Sequence, residues 1–300
     1  MPWLIIIIFA YFLLAINALI DKFLLAGPPN PKNYTFYAGM LGILALVLIP
    51  FVGFSIPSSW QTILCLLTGA LFLLALFALY TGLEYFEASR IVPAIGGMLP
   101  LFTFGLVLIS GEIAELSFFK ILAFLILILG SVLITFKKGK WITLKSFAIS
   151  ALTAFLFALS FVLIKSVYLA LPFWSGFIWI RIGGFLAALF FIFTPEVRRE
   201  IFFKKFTFKR KTASIFLFNQ TIGAGGAILQ NWAIALVPLT FLPFINALEG
   251  TKYIFLLIFS VLFSFKFPQI LKEEISRGTI LQKIIAILFI GAGLTLLILK

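Results

Sequence analysis

Apolar residues fall in runs of about twenty, the length a helix needs to cross a bilayer, and the breaks between them are rich in Gly, Pro and charge. The pattern predicts helices over 3–25, 34–53, 60–82, 88–110, 117–136, 146–168, 173–194, 213–236, 238–265 and 279–299. GPPNPKN at 27–33, VGFSIPSS at 52–59, SGEIAE at 110–115, KKGK at 137–140 and PEVRRE at 195–200 mark breaks read as loops. The gaps at 82–88 and 236–238 are short and predict tight antiparallel hairpins. A membrane strand would instead show about ten alternating residues per segment. The expected class is therefore an all-α integral membrane protein with ten transmembrane helices.

Composition supports that class. The chain is 63% hydrophobic and 11% charged, where soluble domains average about 45–50% and about 25%. A net charge of +13 can signal nucleic-acid binding, but here the basic residues sit in short inter-helix loops, where they set orientation instead. Lys137, Lys138, Lys140, Arg198, Arg199, Lys204, Lys205, Lys209, Arg210 and Lys211 lie on one side; Lys120, Lys165 and Lys300 fall on the other. The basic side is expected in the cytoplasm, with both termini outside. The first run lacks a basic leader and a small-residue cleavage pattern, so it reads as a retained helix. Cys65 is the lone cysteine and there is no His. Disulfides and imidazole metal sites are thereby excluded, and any proton coupling falls to a carboxylate.

The two halves resemble each other. FLLAINALIDK (12–22) matches FLFALSFVLIK (155–165), and YTFYAGMLGILAL (34–46) matches GFIWIRIGGFLAA (176–188). VPAIGGMLP (92–100) aligns with LPFINALEG (242–250). A repeat of five spans is odd-numbered, so the second copy enters the membrane inverted. The expected organisation is two inverted five-helix repeats, 1–140 and 141–300.

Polar groups inside the runs are few, and an ionised one costs about 2.5–3.5 kcal/mol or more at the bilayer centre. Asn246, Glu249 and Lys252 follow at one-turn intervals, so they share a stripe that must face protein or water. Glu249 with Lys252 reads either as a coupling carboxylate with its counter-ion or as a structural ion pair. Arg181 lies well inside the seventh run; its planar fork suits a carboxylate or phosphate, or it pairs with Glu249. Asn17 and Asn246 are mid-depth pocket candidates. Gln230, Asn231 and Trp232 close the eighth run, and Tyr80 and Trp232 offer aromatic walls or belong to the interfacial belt. Asn219 and Gln220 read as interhelical glue, and GAGGA (223–227) as a point of close packing. Asp21, Glu84, Glu87 and Arg90 are span-end groups explained by solvation or local pairing. Pro93, Gly96 and Gly97 in the fourth run, with Pro238 and Pro243 in the ninth, should weaken both helices at corresponding depth. Nucleotide-binding loops and hydrolytic triads are missing, so neither ATP-driven pumping nor enzymatic activity is expected.

The stretch GLEYFEASRIVPAIGGMLPLFTFGLVLISGE (82–112) resembles the EamA-like branch of the drug/metabolite transporter superfamily, through Ala88, Ser89, Arg90, Pro100, Gly111 and Glu112. Leu99 stands where that family often has Glu; in the second half Glu249 takes that position, and Gly250 replaces the Pro. The resemblance extends over nearly the whole chain. Many members carry their basic loop after the second span, whereas here it follows the seventh. What the resemblance implies is a secondary transporter, an exporter of small organic metabolites such as amino acids, working by alternating access through a central cavity. Its substrate would meet Asn17, Tyr80, Arg181, Gln230, Asn231, Trp232, Asn246, Glu249 and Lys252. A sugar-phosphate or nucleotide-sugar exchanger, and a non-transporting scaffold, are the alternatives. The expected partners are a small-molecule substrate, the lipid bilayer and a proton as coupling ion. No cofactor is expected, the assembly is a monomer or homodimer, and the location is a prokaryotic inner membrane.

Overall fold

A computed structural model describes residues 2–25, 30–85, 88–111, 118–135, 144–203, 210–252, 254–255, 258–259 and 277–299. Among these residues 92% are helical and none lies in a strand. The helices are α1 (Pro2–Leu25), α2 (Pro31–Met40), α3 (Ser59–Tyr85), α4 (Ala88–Ile109), α5 (Phe118–Thr135), α6 (Leu144–Ala170), α7 (Phe173–Phe190), α8 (Pro195–Phe202), α9 (Arg210–Leu236), α10 (Leu242–Ala247) and α11 (Arg277–Leu299). Among the described residues five helical stretches are long and apolar enough to cross a membrane: Pro2–Asp21, Pro31–Phe51, Ser59–Tyr85, Leu144–Ala170 and Phe173–Phe193. Ala94–Ile109, Ile121–Gly130 and Ile284–Gly293 are shorter apolar helices. The 27-residue α9 is long enough but too polar to count with the five, because it carries Asn219, Gln220, Gln230 and Asn231.

Several local features depart from the simple reading of the runs. The second run begins as α2, with Pro31 in its first turn and the Asn30 side chain capping Asn33 N–H. From Leu41 to Phe51 it tightens into a 3-10 helix. At about 2.0 Å rise per residue that half reaches further than an α-helix of equal length. The break at 195–200, read as a loop, contains α8, whose first turn holds Pro195 and Glu196 and whose last holds Arg199. Lys32 donates to Glu196 at 2.7 Å, which holds the Glu196 carboxyl below its usual range, and Asn33 donates to Glu200. These contacts tie α8 to the start of α2.

The expectation of matched weak points in the fourth and ninth runs is met on one side only. Helix α4 passes unbroken through Pro93, Gly96, Gly97 and Pro100. The ninth run is interrupted at its prolines, where the 3-10 turn Leu239–Phe241 follows Pro238 and α10 begins with Pro243 in its first turn, and it breaks again at Leu248–Glu249. There the amides of Glu249, Thr251 and Lys252 bond three residues back, to Asn246, Leu248 and Glu249. Most of that run beyond Lys252, and Glu87, Glu112, Lys137, Lys138, Lys140, Lys204, Lys205, Lys209 and Lys300, lie outside the described residues.

Packing pairs α1 with α9, α3 with both α6 and α7, α4 with α6 and α10, and α5 with α11. Backbones touch where α3 crosses α7. A Cβ on Gly69 would sit 2.0 Å from the Ile180 carbonyl oxygen, and one on Gly183 would sit 2.5 Å from that of Leu66. Lys165, counted with the less basic side, is 3% exposed within α6 and donates to the Ala235 carbonyl at 2.9 Å. Ala235 belongs to the last turn of α9, whose carbonyls lack intrahelical donors and whose dipole favours a cation. Lys165→Met should therefore lower stability by about 1–2 kcal/mol, measurable as a lower melting temperature in detergent.

Candidate functional site

The polar residues of the runs gather into two neighbouring groups, both touching α9. Asn219, Gly223, Gly226 and Gln230 follow each other at spacings of four, three and four, so they form one stripe. That stripe faces α1. The side chain of Asn17 lies on Gly223 and donates to the Asn219 carbonyl at 3.3 Å, while Leu14 and the Ala10 carbonyl press on Gly226. At the end of the stripe Gln230 meets the hydroxyl of Tyr11, which itself donates to Ile245 O at 2.7 Å.

Tyr11 also lies within electrostatic reach of Glu249. Glu249 and Lys252 form the pair that their spacing allows, at 3.0 Å, with side chains 17% and 19% exposed. The helix break places them there: a tightened turn brings positions 249 and 252 onto one edge. Asn246, one turn earlier, is buried and donates to Thr103 Oγ1 of α4 at 2.8 Å. Its Oδ1 has no partner among the described residues.

Arg181 stands apart from this pair. It lies eight residues into α7, about 12 Å along the helix. Its guanidinium sits 4.9 Å from the Phe177 ring centre and 5.8 Å from that of Phe72 on α3. Among the described residues it forms neither an ion pair nor a hydrogen bond, and it is only half-buried. Tyr168 of α6 is its nearest titratable neighbour and donates to Asn231 Oδ1 at 2.7 Å. Asn231 in turn donates to the Ala227 carbonyl, so both ends of its amide are engaged. Adjacent to it, Trp232 packs edge-on to Phe173 and Trp174 and remains 38% exposed.

Tyr80, expected as an aromatic wall, lies elsewhere. It is buried against Tyr34 and shares a small cluster with Phe216 and Leu24. Beside that cluster Asp21 accepts hydrogen bonds from Tyr34 and from Asn219 Nδ2. The sequence reading explains Asp21 by solvation or local pairing. Its neighbours come from α2, α3 and α9, far apart in the chain, and the usable clue was the α9 stripe that starts at Asn219. A separate apolar recess of about 290 Å³ between α3 and α6, lined by Leu74, Phe77, Thr81, Ile149, Leu152 and Leu156, contains none of these groups.

A solved crystal structure of a protein resembles this chain at a TM-score of 0.70 with 14% identity, covering 98% of this chain and 97% of its own. That likeness establishes a shared fold. No family model and no curated protein matches the sequence.

Proposed function

We propose that the chain is a secondary transporter of small organic anions or zwitterions, amino-acid-like in size, of the EamA-like kind in the drug/metabolite transporter superfamily. The observation that carries this reading is Arg181: a permanent charge deep in an apolar helix, stacked on two Phe rings, with no carboxylate beside it among the described residues. Charges at such depth are retained where they meet partners, water or a passenger, and a guanidinium fork fits a carboxylate in two hydrogen bonds. The solute would bind there, with Phe72 and Phe177 beneath it and Tyr168 within reach.

Helix pairing supports two related halves moving against each other. Leaving out the short α8, the first helix of residues 1–140 packs on the third of 141–300 (α1 on α9), and the first of the second half packs on the third of the first (α6 on α3). Second helices meet as α2 with α7, fourth as α4 with α10, and last as α5 with α11. These pairings survive exchange of the halves, as an inverted repeat requires, while the close α3–α7 crossing has no equally close counterpart between α9 and α2. The break at Glu249 supplies a hinge. Export from the cytoplasm of a prokaryotic cell across its inner membrane, with both termini outside, completes the proposal.

Lys252 is engaged by Glu249. That weighs against a phosphate grip shared by Lys252 and Arg181, and so favours carboxylate solutes over sugar phosphates. Reconstituted vesicles test the function directly. Labelled l-amino acids and small carboxylates should exchange above the rate of protein-free liposomes; a broad panel showing no such flux would refute it. In the same assay Glu249→Gln should cut flux about tenfold, since a hinge-side charge worth about 1.4 kcal/mol is lost. Its amide still accepts from Lys252, so melting should barely change. A protein that fails to fold instead would mark the pair as structural.

A further inference from the structure

The Asp21 group lies outside the substrate site and joins the two halves. Asp21 ends the first apolar stretch, on α1; Tyr34 comes from α2 and Tyr80 from α3, all in the first half, while Asn219 comes from α9 in the second. Tyr34 and Asn219 are completely buried, whereas Asp21 is only partly so. Both donors fall on one oxygen, Oδ1, with Asn219 Nδ2 at 2.6 Å, and Oδ2 receives neither. Among the described residues no cation touches this carboxylate. The groups facing it are the neutral hydroxyls of Tyr34 and Tyr80 and, further off, the ammonium of Lys252, which is held by Glu249. Tyr37 on α2 looks towards Glu200 instead. Among the described residues, then, Asp21 is a negative charge of this seam without a countercharge in contact.

We infer that Asp21 is a proton-binding site and that its occupancy is coupled to the movement of the two halves, an inference that rests on the carrier reading above. A proton entering from one side adds to Oδ2 and converts the carboxylate to a neutral acid; on the other side it leaves to water, and no other bond changes. The charge is what holds Tyr34 and Asn219 to the same oxygen. Neutralising it weakens the tie between α1–α2 and α9 and lets the halves separate. The Glu249 carboxylate, paired with Lys252, is not free to play this part.

The test uses full-length protein in vesicles loaded with a pH-sensitive dye, supplied with a labelled mixture of l-amino acids and small carboxylates. Solute flux should move protons in the wild type and in Glu84→Gln, whose exposed carboxyl lies at the end of α3. Asp21→Asn should abolish proton movement. Tyr34→Phe removes one donor to the charged form while keeping the ring, so the pH profile should shift upward by about one unit. Solute exchange without proton movement in the wild type would overturn the proton site and leave the carrier standing. So would unchanged proton movement in Asp21→Asn, or flux driven by a sodium gradient alone. If no solute moves, the carrier reading falls, and infrared titration of the solubilised protein decides the proton site by itself. A neutral-carboxyl band that appears on acidification and is missing from Asp21→Asn supports it; identical spectra overturn it.

Discussion

Replacing Arg181 by Ala is expected to lower solute flux about a hundredfold while leaving the fold intact. Two charge-assisted hydrogen bonds to a carboxylate would supply about 3 kcal/mol together, and each 1.4 kcal/mol is a factor of ten. Stability behaves differently because nothing is orphaned. Among the described residues Arg181 has no ionic or hydrogen-bonded partner to leave behind, only ring contacts with Phe72 and Phe177. Losing those costs about 0.5–1 kcal/mol, a fall of about 2–4 °C in melting temperature. Arg181→Lys keeps the charge but not the fork, and should retain roughly a tenth of the flux if one of the two bonds survives. Equal flux in wild type and Arg181→Ala would remove this residue from the site.

Gly69→Val should prevent folding. At Gly69 even a methyl group would lie 2.0 Å from the Ile180 oxygen and 2.5 Å from the Gly184 nitrogen. Both obstacles are backbone, so no rotamer change relieves the clash; α3 and α7 must move apart. Their contact also includes Gly183 on Leu66, and the neighbouring 3-10 stretch sets Gly42 on the Arg181 carbonyl. Separation would therefore open the core beneath the candidate site, at a cost of about 3 kcal/mol or more. Small residues at such crossings are the general device for close packing of membrane helices. Gly53 is the internal control: a Cβ there meets nothing within 4 Å, so Gly53→Val should change stability by no more than about 0.5 kcal/mol. Yield of monodisperse protein and melting temperature distinguish the two. A well-folded Gly69→Val protein would mean that the helices do not touch as described.

Helix positions were readable from hydrophobic runs because lipid leaves the backbone few alternatives to internal hydrogen bonding. The ends of α1, α3, α5 and α6 fall within a few residues of the apolar boundaries. What hydropathy does not encode is helix pitch. The 3-10 stretch Leu41–Phe51 is as apolar as any α-helix, and the break at Leu248–Glu249 falls five residues beyond the proline that drew attention to the region. The i, i+3 pairing of Glu249 and Lys252 was legible from spacing alone. The separation of Arg181 from that pair was not, because it depends on which faces of α7 and the 246–252 turn meet. Tyr80 shows the same limit: an aromatic at a given depth can line a site or, as here, back a buried carboxylate. Asp21 was missed because its donors lie 13 and 198 residues away. Lys165 falls inside the predicted run at 146–168, but its partner was not legible, because the helix C-terminus that satisfies it lies across an interface 70 residues away.

Cysteine accessibility at position 181 probes the heart of the account. Cys65 is buried and the only native thiol, so an Arg181→Cys protein reports from a nearly silent background. A charged, membrane-impermeant thiol reagent should label it from one side of the bilayer, and an excess of transported carboxylate should slow that labelling. An inert thiol, unreactive from either face until the protein is unfolded, would show this depth to be dry and would contradict a passage for solutes past Arg181.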